Sequence, residues 1–177
     1  APIFLNCSFK DNYSNAHGGA FDSFASSGEI NPSFIHCSFT GNKSGRSGAA
    51  LSMTTKNTGT KSSLKIINSV FSNNAVVNSQ KHGGAIALES KGISIMKAVI
   101  RQSSFASNSA TLNGNDIWVD GTGSNTSVTS YNTVFGSNNP IFFENSDFLH
   151  INNLIVGSGG SENWNSDFGS DGGNNLD

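Results

Sequence analysis

In GNDIWVDG, from Gly114 to Gly121, three residues able to do chemistry alternate with apolar ones: Asp116, Trp118 and Asp120. An extended strand sends successive side chains to opposite faces. With Ile117 and Val119 inward, the indole and both carboxylates face outward together. Such a surface suits a sugar, whose ring stacks on the indole while its hydroxyls donate to the carboxylates. The competing placement puts Trp118 over Ala87 or under the 121–130 loop, because large aromatics are mostly buried. Glu89 falls beside Asp120 on the preceding repeat, the one pair of acids aligned on adjacent coils. Glycoside cleavage requires two positioned carboxyl groups. The remaining acids do not align, so no catalytic residue is assigned and the chain is read as a non-enzyme.

His17 and His82 both precede a glycine corner, but Ser47 takes that place on the coil between them. Two strand spacings are too long for one zinc ion, so both are expected as solvated turn histidines. Cys7 and Cys37 share one repeat position with parallel side-chain directions and are expected as two buried thiols. SDFGSDGG, with Asp167 and Asp171, fails the ligand spacing of a calcium loop. No metal and no cofactor is assigned. Of the sequons at Asn6, Asn12, Asn42 and Asn125, only Asn125, in GTGSNTS, is read as a loop residue open to glycosylation.

The elements that position these residues come from a repeat. F-x-x-N occurs five times, at Phe9 and Asn12, Phe39 and Asn42, Phe71 and Asn74, Phe105 and Asn108, and Phe135 and Asn138. In stacked coils identical side chains lie about 4.8 Å apart, so both columns are expected to stack, Phe on Phe and amide on amide. Asn6, His36, Asn68, Gln102 and Asn132 form a further amide-like column, expected to bridge along the axis. Cys7, Cys37, Ser69, Ser103 and Thr133 form a small one. A second strand follows each F-x-x-N: GGAFDSF, GAALSMT, GGAIALE and GNDIWVD. Phe21, Leu51, Ile86 and Ile117 point inward, after a glycine that permits a sharp corner. INNLIV from Ile151 reads as a degenerate last coil.

The chain is therefore expected to be all-β, a parallel β-helix of about five to six coils of roughly 30 residues. It divides into a repeat domain over 1–156 and a Gly/Ser/Asn-rich arm or linker over 157–177. Trp164 and Phe168 are candidate anchors of that arm, either on a neighbouring copy, by strand addition, or folded back on its own helix.

A content of 35% hydrophobic and 12% charged residues fits a solenoid, which needs only a narrow apolar strip per coil. The net charge of −2 argues against nucleic acid and anionic membrane surfaces as partners. No apolar run is long enough for a membrane-spanning helix. The opening Ala1-Pro2, without Met or signal peptide, reads as a processed product or a fragment.

F-x-x-N alternating with G-G-A-[I/L/V] resembles the repeat of the chlamydial polymorphic outer membrane proteins over about residues 3 to 140. GGA is complete at Gly18-Gly19-Ala20 and Gly83-Gly84-Ala85; GAA at residues 48–50 and GND at 114–116 depart from it. The resemblance implies a right-handed parallel β-helix displayed outside the cell, commonly as an adhesive passenger; the family's C-terminal membrane barrel has no counterpart here. The expected function is a non-enzymatic extracellular repeat module, an adhesin-type passenger segment or a filament subunit. Its partners are then a protein or glycan at a cell surface, or copies of itself end to end. The alternatives are a carbohydrate-binding or polysaccharide-processing β-helix and an ice-binding solenoid. The last needs a flat Thr array, and TTKNTGT and TSVTS do not align into one.

Overall fold

Where apolar and polar residues alternate, the chain extends, and strands one repeat apart pair in parallel. In a computed structural model describing all 177 residues, this pairing gives a β-solenoid with three main walls. The Phe wall contains Ser8–Lys10, Ser38–Thr40, Val70–Ser72, Ser104–Ala106, Val134–Phe135 and Leu154–Ile155. The glycine-corner wall contains Phe21–Ala25, Leu51–Lys56, Ile86–Lys91, Ile117–Asp120 and Ile141–Glu144. A longer wall runs through Ile3–Leu5, Ser33–Ile35, Lys61–Ile67, Ile95–Arg101, Asn125–Tyr131, Asp147–Ile151 and Ser170–Asp171. A short three-stranded sheet fills the corner after the Phe wall.

The first and last glycine-corner strands are four turns apart, slightly fewer than the coils counted from sequence. The difference lies at the C-terminal end, where the last level has strands in the Phe and long walls only, Leu154–Ile155 and Ser170–Asp171.

The long wall is not evident from sequence. GTGSNTSVTS reads as a loop, yet only Gly121–Ser124 turn and Asn125–Tyr131 is a strand. Its inward residues, Thr126, Val128 and Ser130, include one apolar side chain, so the alternation is masked. Asn125 is therefore an exposed strand residue paired with Ile95, not a loop residue.

Phe9, Phe39, Phe71, Phe105 and Phe135 stand in register, with ring centroids 4.6, 4.6, 4.8 and 5.1 Å apart in succession. Beside them Phe4 stacks on Phe34 at 4.8 Å, and Ile66 and Ile100 continue that inward row. These stacks and the inward residues of the glycine-corner wall form one core.

The polar columns sort differently from expectation. Asn6, His36, Asn68, Gln102 and Asn132 do not bridge along the axis: all are exposed at φ between 47° and 54°. They form a left-handed corner, which Asn tolerates better than most residues. The small column behind them carries the bonding. Ser69 Oγ accepts from the Cys37 amide at 3.1 Å, Ser103 Oγ from the Ser69 amide at 3.2 Å, and Asn153 Oδ1 from the Thr133 amide at 2.8 Å. Cys7 and Cys37 are free thiols; Cys37 is buried and lies 3.4 Å from the Phe4 and Ile35 carbonyls.

Residues 157–177 fold back on the solenoid. Ser170–Asp171 pairs with the Asp147–Ile151 strand, Leu176 bridges to Leu154, and Asn175 Oδ1 accepts from the Asn153 amide at 2.8 Å. The segment behaves as a further partial coil.

Candidate functional site

The F-x-x-N amides form a continuous internal ladder. Asn12 Nδ2 donates to Asn42 Oδ1 at 2.8 Å, Asn42 to Asn74 at 2.9 Å and Asn74 to Asn108 at 2.9 Å. Asn42, Asn74 and Asn108 also donate to the carbonyls of Phe9, Phe39 and Phe71, each at 3.0 Å. Asn138 is not in this ladder; it is exposed. The fifth coil is one residue shorter after Phe135, so Ser137 occupies the level, and its Oγ accepts from the Asn108 amide at 3.1 Å.

The missing acceptor is supplied by Asp116. Its Oδ1 accepts from Asn108 Nδ2 at 2.9 Å and from Ser137 Oγ at 2.6 Å. Asp116 is wholly buried and faces the interior, which overturns its placement on an outward sugar-binding surface. The cause is the corner: Asp116 precedes the strand Ile117–Asp120, so strand alternation does not govern it. Burial without a cation pushes its carboxyl up to about 6, against the lowering effect of its donors.

Trp118 does point away from the core, but it is only 7% exposed. Its indole stacks on the His82 ring, centroids 4.8 Å apart and planes 21° from parallel, and it sits in register with Ala87. His82 is consequently no solvated turn residue; burial and Lys81 lower its pKa, partly opposed by Asp120. Neither Trp118 Nε1 nor His82 Nδ1 has a hydrogen-bond partner. A sugar cannot stack on Trp118 without displacing His82.

Asp120 is half-buried and remains at the surface. Glu89, Asp120 and Glu144 stand in register on three successive strands, so the aligned pair read from sequence extends to a third carboxylate. Glu144 escapes sequence reading because the corner before Ile141–Glu144 uses Asn139, at φ 46°, in place of glycine. Glu89 pairs with Lys91 at 2.7 Å, and Asp120 accepts from the Thr122 amide at 3.0 Å. The row lies on an open sheet face, and no cluster of His, Cys, Asp and Glu is arranged to hold a metal ion. An open cleft of about 380 Å³ lies nearby, between Phe142 and Phe143 and the Asn165–Phe168 segment. Comparison with family models, curated proteins and solved structures finds no match to this chain.

Trp164 and Phe168 cover the chain's own last coil. Phe168 is 7% exposed and belongs to the core, its carbonyl 2.8 Å from His150 Nε2. Trp164 is half-buried 5.7 Å from the His150 ring and donates to the Gly169 carbonyl at 2.8 Å. Within the single chain the arm is folded back on its own last coil. Asp171 accepts from Gly173 N at 2.8 Å, Asn175 Nδ2 at 2.6 Å and Ser161 Oγ at 3.0 Å, bracing the segment. A sequence signal for this exists: Asn174-Asn175-Leu176 copies Asn152-Asn153-Leu154.

His150 itself stands at the inward position of Ser130, with Nδ1 2.7 Å from Ser130 Oγ. Burial lowers its pKa to about 4, so the ring is neutral at neutral pH.

Proposed function

We propose that the chain is a non-enzymatic extracellular repeat module, an adhesin-type segment or the subunit of a surface filament, working by presenting its outer sheet faces to a partner. One observation carries the reading: the F-x-x-N amides from Asn42 to Asn108, with Asp116, are turned inward. The Asn42–Asn74–Asn108–Asp116 ladder joins coil to coil, so these groups keep the solenoid in register and are not available to a substrate. The carboxylate row offers a face, not a cleft enclosing a scissile bond. The likeness of the repeat to the polymorphic outer membrane proteins supports display outside the cell. The outer edges of Ile3–Leu5 and Phe21–Ala25, which pair on one side only, are where a further coil or a second copy would stack.

The test is turnover. The purified chain, incubated with a panel of neutral and acidic polysaccharides, is expected to release no reducing ends and no unsaturated products. Cleavage that disappears in Glu89→Gln or Asp120→Asn would replace this reading with a polysaccharide-processing one.

A further inference from the structure

The low net charge conceals a strong segregation. Between Lys56 and Arg101 lie seven cations and one carboxylate, Glu89; beyond Arg101 lie eight carboxylates and no cation. In a solenoid, sequence position becomes position along the axis, so the central coils are basic and the C-terminal coils acidic.

Four of these cations share one surface. Lys61–Ile67 and Ile95–Arg101 are adjacent parallel strands of the long wall, with Ser62, Leu64, Ile66, Met96, Ala98 and Ile100 inward. Lys61, Lys65, Lys97 and Arg101 are all exposed on the outer face. Lys97 pairs in register with Ser63, Lys65 with Val99 and Arg101 with Ile67. The cations therefore alternate between the strands as Lys61, Lys97, Lys65, Arg101. Diagonal neighbours on such a ladder lie about 7–8 Å apart, and seven residues span roughly 23 Å. None is in an ion pair; the two in the chain are Lys10 with Asp11 and Lys91 with Glu89.

We propose that this zigzag is a binding strip for a linear anionic polysaccharide, lying along the strands with its sulfate or carboxylate groups against the four cations. Shape and surroundings select this partner. The strip is two strands wide and bordered by carboxylates, Glu29 beside Lys61 on one side and Asp147 two strands from Lys97 on the other. A broad anionic surface, a duplex or a bilayer, meets those carboxylates; a single polysaccharide chain fits between them. A nucleic-acid single strand needs free aromatic faces for its bases, and the one ring here, Tyr131, is covered by Arg101 at 5.0 Å. Ser63, Ser127, Thr129 and Asn125 supply short hydrogen-bonding groups between and beside the cations, suited to hydroxyls.

This inference rests on the reading of a non-enzymatic exterior module, and its test separates the two. Binding of the purified chain to heparin and to polygalacturonate is measured at low and moderate salt, with dextran, duplex and single-stranded DNA and phosphatidylserine vesicles alongside. Lys65→Thr with Lys97→Ser installs residues already present in register at Thr129 and at Ser63 and Ser127, so the strand pattern is kept. The expected result is binding to at least one of the two polyanionic glycans that weakens with salt. The double variant should bind about tenfold more weakly, a loss of about 1.4 kcal/mol from two exposed charge contacts. Lys10→Ser with Lys43→Ser should bind as wild type. Absence of glycan binding, equal binding by both double variants, or stronger binding to DNA or vesicles than to glycan overturns the proposal. Cleavage of a bound glycan overturns the non-enzymatic reading and leaves the strip standing.

Discussion

Phe71 has Phe39 on one side and Phe105 on the other and no exposed surface. Phe71→Ala removes a buried ring from the middle of a continuous stack and should cost about 3–5 kcal/mol, read as a drop in denaturation midpoint at unchanged slope. Asp116 and His150 give the molecule two opposed pH responses. The Asp116 carboxyl is raised from 3.8 to about 6, so the fold binds its proton more tightly than the unfolded chain does. Its contribution is complete below pH 4 and is lost as pH rises through 6. The His150 ring is lowered from 6.5 to about 4, so the unfolded chain takes that proton first. Its contribution is complete above pH 6.5 and is lost as pH falls toward 4. Each is on the order of 3 kcal/mol, and over pH 4 to 6.5 they offset. Wild-type stability should therefore change little across this window. In Asp116→Asn it should fall on acidification, and in His150→Gln it should rise. Parallel pH profiles for all three proteins would refute both assignments.

The glycine corners are the elements least tolerant of change. Gly83 has φ 68°, and a Cβ there would strike the Ile86 carbonyl and come within 3.1 Å of the Ala87 Cβ. Gly28 has φ 72° with open space around it. Both carry the left-handed penalty of about 1–2 kcal/mol for a side chain, and only Gly83 adds a collision with backbone. Gly83→Ala should destabilise by at least about 1 kcal/mol more than Gly28→Ala, measured by chemical denaturation of the two variants side by side. The Asn139 corner, where a non-glycine residue adopts φ 46°, fits this account because Asn is among the residues that tolerate the conformation.

For the whole molecule the two ends differ. At one, the inward-facing Phe4, Phe9 and Phe21 of the first coil are only half-buried, where their counterparts on later coils are fully buried. At the other, the 157–177 segment covers Phe148, His150 and Ile155, all essentially buried. Deleting residues 157–177 uncovers this end of the core and leaves the Asn153 amide without its Asn175 acceptor. The truncated chain should melt earlier and self-associate in sedimentation, because a bare coil end offers apolar side chains and unpaired strand groups. A truncated chain as stable as the full one and no more self-associated would show that the segment is no cap. The charge division along the axis belongs to this scale too. It is countable in the sequence from Lys56 onward, but a total of −2 hides it, and only winding the chain places four of the cations on one face.

The repeat by itself determined the parallel solenoid, the Phe stack and the internal Asn ladder as far as Asn108, because one-dimensional stacking converts equal spacing into equal position. Tertiary structure decided what the spacing does not encode. A one-residue shortening after Phe135 removed Asn138 from the ladder and brought in Asp116, an acid whose position before its strand hid its inward direction. His82, four residues ahead of the Ile86–Lys91 strand and on the preceding coil, closed over Trp118, because corner segments of neighbouring coils meet where no strand period applies. The Gly-rich arm became a cap through a copied Asn-Asn-Leu that pairs Leu176 with Leu154 once Trp164 and Phe168 find the open end of the core.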